Sequence, residues 1–500
     1  MKKREVLLSV FQVINICAMA WILFLTACNT IEWAPAAFAV TAVGLVLLFL
    51  AGRSRRLADR WNRIYPVLWI LMLVFMFYLA FQLRVDVNDT WDYGQIIRSA
   101  FNLANNGAFS DYERAYYANY PNNQFILLFM TKLFNVFHRV HPDADIYRYL
   151  DLTVRVNVIL IMISVALAHY TAKQLLDDRG VIYTDLLIMC CSPLYLYAPI
   201  MYTDTLALLP GIVILAAFST AEKCGPQNQK KRLTCFSIAG LAAAVGYNMK
   251  MTVIFIAIGV FIYLAVKEDL RPFLTALLCF SLVFAGVHVS IKFMEHRFYG
   301  YTAEERDAYE FPYEHWVMMG LQENGRYNPD DVIYTRQFPT KAEKAQADRE
   351  RIKERVSEMG TGGLLKRLFY KKIRYCWSQG AVSTSGYLCR NPLNPGIWQE
   401  LFMDEGKYLQ IYITYIQGYY MMVLLGMLLS GVKHMTRKND SLIFAAQIAL
   451  FGLILFLMVW EDNPRYIFQF ELLLCLIGAD GLTYFLKQKS GHGEAPNENR

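Results

Sequence analysis

A succession of apolar runs, each long enough to cross a lipid bilayer, constrains this chain more than any other feature. In hydrocarbon, backbone N–H and C=O groups must be satisfied within the chain, so such runs fold as helices. About 17–25 residues suffice to span, and runs of roughly that kind lie at 6–28, 34–51, 65–83, 152–170, 181–199, 205–220, 233–249, 251–266, 272–292, 411–431, 441–460 and 467–486. Over 500 residues, 56% are hydrophobic and only 18% charged, too apolar a balance for a soluble domain of this size. The expected fold class is an all-α polytopic membrane protein with about twelve transmembrane helices. The first run, behind Met1-Lys2-Lys3-Arg4, is expected to be an uncleaved first span.

Charge orients these spans. The formal net charge of +7 is carried in short basic clusters between apolar runs, which is the positive-inside pattern and calls for no nucleic acid. Arg53, Arg55, Arg56, Arg60 and Arg63 mark one cytoplasmic loop; Lys223, Lys230, Lys231 and Arg232 mark another; Lys433, His434, Arg437 and Lys438 mark a third. The run Asn122–Phe137 is apolar enough to count as a span, but crossing there would push the second basic loop outside. It is therefore expected to lie outside as an interfacial or re-entrant helix. Most of the ten cysteines sit in apolar segments and read as small hydrophobes; only Cys376 and Cys389 share a polar stretch.

This topology gathers the polar segments on one face and gives the expected organisation. Residues 1–292 form an N-terminal membrane module with a first outer loop at 84–151. An extracytoplasmic subdomain follows at 293–410, then C-terminal membrane helices at 411–486 and a cytoplasmic tail at 487–500. Thr340-Lys341-Ala342-Glu343 fits a capping box opening a charged, solvated helix that runs to about Met359. Leu364–Trp377 mixes basic and aromatic residues at helical spacing, which suits a helix on the membrane surface or one packed on the subdomain.

Several residues in these outer segments are placed for chemistry. Asp86, Asp89 and Asp92 are spaced at three, so on a helix they would share a face and in a loop they would ring a pocket. A carboxylate there suits a general base on an incoming hydroxyl or amine, or an oxygen ligand to a divalent cation; a solvated loop whose acids cap the next helix is the plainer alternative. Asp204, in Tyr202-Thr203-Asp204-Thr205, reads from its local pattern as an N-cap. Lys250, in Asn248-Met249-Lys250, falls outside against the positive-inside bias, which suits phosphate binding or snorkelling to lipid headgroups. Arg465, in Glu461-Asp462-Asn463-Pro464-Arg465-Tyr466, offers a second forked cation, which Glu461 or Asp462 could also neutralise. His315 is a lone histidine of the kind usually held in structure. No P-loop, Rossmann glycine pattern, HExxH or GxSxG occurs.

Asp89-Thr90-Trp91-Asp92-Tyr93 before a helix, Tyr120-Pro121 opening the interfacial helix, the outer Thr203-Asp204 pair, the Asn248-Met249-Lys250 turn and Arg465-Tyr466 at the last span follow one another in a telling order. In that order they resemble the GT-C superfamily of membrane glycosyltransferases, which includes protein O-mannosyltransferases and lipid A aminoarabinose transferases. The resemblance implies inverting transfer of a sugar from a polyprenyl-phosphate-linked donor to an acceptor on the outer face of the plasma membrane. Asp89 would be the base, with Asp92 second. Lys250 and Arg465 would hold the donor phosphate, while Tyr120, Pro121, Asp204, Asn248, His315 and Glu461 would complete the substrate site. No residue is assigned to a metal, although a divalent cation remains compatible with these acids. The pattern departs from the family's in having Asn88-Asp89-Thr90 for the usual paired acids, Tyr120-Pro121-Asn122 for Lys-Pro-Pro, and more than one span before the first outer loop, where the family usually has one. A flippase or transporter of lipid-linked glycans, and a glycan polymerase or ligase, are the competing readings.

Overall fold

The structure is a computed structural model, and it describes residues 2–88, 91–225, 227–437 and 441–488. Asp89 and Thr90 therefore lie outside the described residues. All the expected apolar runs are helical in whole or in large part. Among the described residues, eight helices are long and apolar enough to cross a membrane: Val6–Trp33, Arg55–Gln82, Ile146–Leu175, Thr203–Lys223, Leu270–Tyr299, Leu409–Thr436, Leu442–Val459 and Pro464–Tyr484. Ala37–Arg53 and Met251–Lys267 are apolar but shorter. The run expected at 181–199 is broken: its helix Asp178–Cys190 stops, and Ser192–Leu196 starts a separate turn. Pro193 explains the break, because it has no N–H to continue the ladder to the Met189 carbonyl and its ring clashes with that carbonyl, while Pro is well placed at the start of the new helix.

Charge inside these helices is spent on fixed partners, as the cost of a lone ion in hydrocarbon requires. Asp480 pairs with Lys433 and His434. Asp185 meets His169 at 2.9 Å and accepts from the Trp61 indole at 2.7 Å. Gln12 donates to Gln447, and Gln447 donates to Ser430, at 2.9 and 3.0 Å.

Gln124–Val140, the ambiguous segment, is a 17-residue helix with one buried face that includes Ile126, Leu127, Met130 and Phe134. It packs on Asp92–Ala104. Of the two arrangements open to Asp86, Asp89 and Asp92, a shared helix face does not apply to Asp86 and Asp92. Only Asp92 is helical; Val85 forms a bridge with Pro392, and the Asp86 N–H donates to the Asn391 carbonyl at 2.8 Å. That pairing keeps the strand-like segment extended and ties it to the segment that precedes the helix Leu409–Arg437.

The predicted capping box at Thr340 is present, with Glu343 answering the cap. The helix bends at Gly360, whose φ of 62° is left-handed. The helix is not a free rod, however. Lys344, Ala347 and Asp348 are buried, and Arg349 and Arg355 pair with Glu314 and Asp331 on the helices it packs against. Leu364–Trp377 divides its character: Lys372, Ile373, Cys376 and Trp377 are buried while Leu365 and Phe369 are exposed. Cys376 and Cys389 are both free thiols.

Leu409–Arg437 and Glu471–Gln488 meet backbone to backbone, with glycines making the approach possible. A Cβ on Gly481 would fall inside the Gly426 carbonyl, and one on Gly426 inside that of Gly478. Gly481→Val is expected to cost upward of about 3 kcal/mol through overpacking, seen as a fall in melting temperature in detergent. Gly286→Ala, where nothing lies within 4 Å, is expected to leave it unchanged; equal effects would show that the close approach is not needed.

Candidate functional site

Asp92 stands at the first turn of Asp92–Ala104, where the helix dipole favours an acid. Its Oδ1 accepts from the Tyr116 hydroxyl at 2.5 Å and its Oδ2 from the Tyr202 hydroxyl at 3.1 Å. Asn123 closes the ring. Its amide donates to the Tyr116 oxygen at 2.9 Å, and its carbonyl stands 3.0 Å from the Tyr202 hydroxyl. Tyr202 has one proton for two acceptors, and the ionised carboxylate is the stronger. Burial, reinforced by the Asp92 charge, pushes both phenols well above their ordinary range, so they remain donors. Asn157 braces the approach to Tyr202, donating to the carbonyls of Tyr197, Ala198 and Ile200.

Tyr202 also joins Asp92 to a buried charge cluster. Its ring lies 5.0 Å from the Arg465 guanidinium, with Trp91 at 4.2 Å, Tyr387 at 4.6 Å and Tyr466 at 5.8 Å completing a cage. Arg465 is 6% exposed, and desolvated guanidinium–aromatic contacts of this kind are worth up to about 2 kcal/mol each. Its Nε stands 2.9 Å from Asp204 Oδ2, near enough to pair by charge although the N–H is not aligned as a hydrogen bond. Lys250 pairs with the other oxygen of Asp204 and lies 4.1 Å above the Tyr466 ring. Arg465 Nη1 and Trp91 Nε1 are buried donors with no hydrogen-bond partner, an expense that a ligand accepting from them would relieve.

The local reading of Asp204 as a helix cap is thus corrected: Tyr202 holds the cap position, and Asp204 unites two cations from distant segments. Among the described residues Asp204, not Glu461 or Asp462, is the carboxylate within ion-pair distance of Arg465. Glu461 accepts from the Tyr466 hydroxyl at 2.6 Å, and burial raises its carboxyl. Asp462 is buried with neither carboxylate oxygen hydrogen-bonded, and burial, partly offset by Lys372, pushes it up to about 7.

A cavity of about 2050 Å³ opens in front of these groups. Asp92, Tyr120, Pro121, Asn248, Lys250, Glu461 and Arg465 all line it. Asp204 lies behind the cations and His315 is turned away, its flanking Glu314 and Trp316 facing the cavity instead. Tyr116, Asn123, Tyr202 and the cage residues Trp91 and Tyr387 received no role from sequence. An aromatic count at the Asp-Thr-Trp-Asp-Tyr segment could have drawn attention to Trp91, but the others depend on contacts between segments. Among the described residues no three His, Cys, Asp or Glu side chains gather as for a metal, and both Asp92 oxygens already accept from phenols.

Fold and site together define an all-helical, polytopic membrane protein with a buried cation pair facing a large polar and aromatic cavity. The chain belongs to the family described as conserved hypothetical integral membrane protein, which it matches over residues 11–482. No curated protein matches it. Solved structures similar to it include three of an Archaeoglobus fulgidus oligosaccharyltransferase. The first, AglB with an inhibitory peptide and a dolichol-phosphate, is 12% identical with TM-score 0.44, over 86% of this chain and 52% of that one. The second, tethered to an acceptor peptide containing the NVT sequon, is 12% identical with TM-score 0.45, over 86% and 50%. The third, in complex with Zn and sulfate, is 12% identical with TM-score 0.43, over 84% and 49%. The chain spans about half the length of these structures.

His315 is buried in the segment between the helices Leu270–Tyr299 and Leu409–Arg437, its Nδ1 2.8 Å from Thr335 Oγ1, which donates to Asp348 at 2.8 Å. Burial lowers His315 to about 4 and raises Asp348 to about 6. The depressed histidine loses stability as pH falls from about 6.5, its unfolded value, toward 4; the raised aspartate gains stability from about 6 toward 3.8. The two oppose each other. Relative to the parent protein, Asp348→Asn should melt progressively earlier from pH 6.5 to 4.5, and His315→Gln progressively later; parallel pH profiles would contradict both assignments.

Proposed function

We propose that the chain is a membrane glycosyltransferase of the GT-C type, which transfers a sugar from a polyprenyl-phosphate-linked donor to an acceptor on the extracytoplasmic face of the plasma membrane. The observation that carries this reading is the convergence through Tyr202. One tyrosine donates to Asp92 and covers Arg465, so an acid and a cation pair face one cavity. Displacement at an anomeric carbon requires a base on the acceptor side and cations on the leaving phosphate.

In this scheme Lys250 and Arg465 hold the donor phosphate, with the unpartnered Nη1 of Arg465 and Nε1 of Trp91 as further donors. Asp89 is the base, with Asp92 second; Asp89 lies outside the described residues, and support comes from Trp91 and Asp92, which follow it in sequence and line the cavity. Tyr120, Pro121, Asn248 and Glu461 line the substrate space. The leaving phosphate departs as a stable anion, so it needs little acid help. A carrier reading gains less support, because the pairs Asp480–Lys433 and Asp185–His169 lie apart from the cavity.

Purified protein incubated with a panel of polyprenyl-phosphate sugars and acceptor extracts is expected to release polyprenyl phosphate. Asp89→Asn should fold and insert but transfer no sugar; near-normal turnover would remove Asp89 from the base role. Lys250→Ala and Arg465→Ala should weaken donor binding about 30- to 150-fold, the equivalent of about 2–3 kcal/mol for a lost charged hydrogen bond. Unchanged donor affinity in both variants would rule out the phosphate clamp.

A further inference from the structure

The cation pair raises a problem that its own geometry answers. A lysine needed as an ammonium is placed almost entirely out of water: the side chain of Lys250 is 13% exposed, beside an Arg465 side chain of 8%. Both surroundings disfavour its charge. Burial is the larger influence and the like charge of Arg465 adds to it, bringing Lys250 down to about 8. Two acids oppose them: Asp204 in direct contact, and Glu461 at longer range. Tyr466 supplies a ring face below the ammonium, 4.1 Å from Nζ.

The depth order matters. Lys250 and Arg465 line the cavity, while Asp204, with a side chain 2% exposed, does not. An anion entering from the cavity meets the cations first and has no need to displace the carboxylate. Asp204 is also the one carboxylate within ion-pair distance of Lys250 among the described residues. Its backbone is fixed by the first turn of Thr203–Lys223, and its two oxygens are divided between the two cations.

From this arrangement we propose that Asp204 is a positioning residue that keeps Lys250 protonated and held toward the cavity from behind, so that the pair presents charge to an incoming phosphate. The proposal deepens the donor-phosphate reading above and rests on it for the identity of the anion. Two other roles are physically distinct. A carboxylate that occupied the phosphate position would compete with the ligand, and its removal would strengthen binding. A carboxylate that merely supported the fold would, on removal, weaken binding equally at every pH.

The test uses the full-length protein in nanodiscs of zwitterionic lipid, with undecaprenyl phosphate as the probe, compared between variant and parent at each pH. With Asp204→Asn, binding relative to the parent is expected to fall about fivefold at pH 8 and recover at pH 6, because a one-unit drop from about 8 leaves about a tenth of the lysine charged at pH 8 where the parent keeps about half. The double variant Asp204→Asn/Lys250→Arg should bind to within about twofold of the parent at both pH values, since arginine keeps its proton. Without any ligand, the pH dependence of acylation at Lys250, followed by mass spectrometry, should move down by about one unit in Asp204→Asn. An unchanged acylation profile overturns the proposal whatever the ligand is. So does tighter probe binding, or a loss that is equal at both pH values and not rescued by arginine. If Asp204→Asn does not fold, Lys250→Arg alone decides: it should flatten the decline in binding that the parent shows as pH passes about 8, and a persisting decline overturns the proposal. Failure of the parent to bind the probe, with the acylation shift intact, would count against the donor-phosphate reading and leave the role of Asp204 standing.

Discussion

A single carboxylate, Asp204, holds together two cations brought from opposite parts of the chain. Burying either cation without it would leave an uncompensated charge, a loss of about 3–5 kcal/mol in comparable cases. The aromatic cage around Arg465 adds to the compensation, and its members are Trp91 just before the helix Asp92–Ala104, Tyr202 before Thr203, Tyr387 in the segment before Leu409–Arg437, and Tyr466 at the start of the last helix. Charge balance therefore forces these segments to meet, and the cavity is the space left where they do.

Around that centre the polar chemistry is divided by depth. Asp92 stays at the cavity, fixed by two phenols that remain protonated, whereas Asp204 lies behind its cations. Tyr202 belongs to both halves, with its hydroxyl on the acid and its ring on the guanidinium. A movement at either end would be felt at the other through a rigid, buried ring. Asn157, which braces the carbonyls before Tyr202, extends that rigidity into the Ile146–Leu175 helix.

Much of the architecture was legible from hydropathy, because a run of apolar residues in lipid has little choice but to be a helix. Capping chemistry likewise located Thr340 and its Glu343 partner. Where the sequence misled, the deciding contact was far away. Asp204 looked like a cap because its partners, Lys250 and Arg465, are remote in sequence. The spacing of Asp86 and Asp92 suggested a shared helix face, yet Val85 pairs with Pro392 and holds Asp86 in extended chain. The charged helix after Thr340 looked solvated because Glu314 and Asp331, which dock Arg349 and Arg355, come from other helices. Lys250 and Arg465 drew attention for a reason of their own: in the expected topology they are cations that oppose the positive-inside bias, which invites an explanation.

The most direct measurement of the central claim, that Lys250 and Arg465 face one lipid-linked phosphate across from Asp92, is photocrosslinking with a polyprenyl phosphate carrying a diazirine on its first isoprene unit. Mapping the labelled peptides should place adducts on the segments at 247–252 and 460–466 that line the cavity, with labelling suppressed by excess unlabelled polyprenyl phosphate. Labelling confined to helices away from the cavity, or insensitive to that competition, would contradict it.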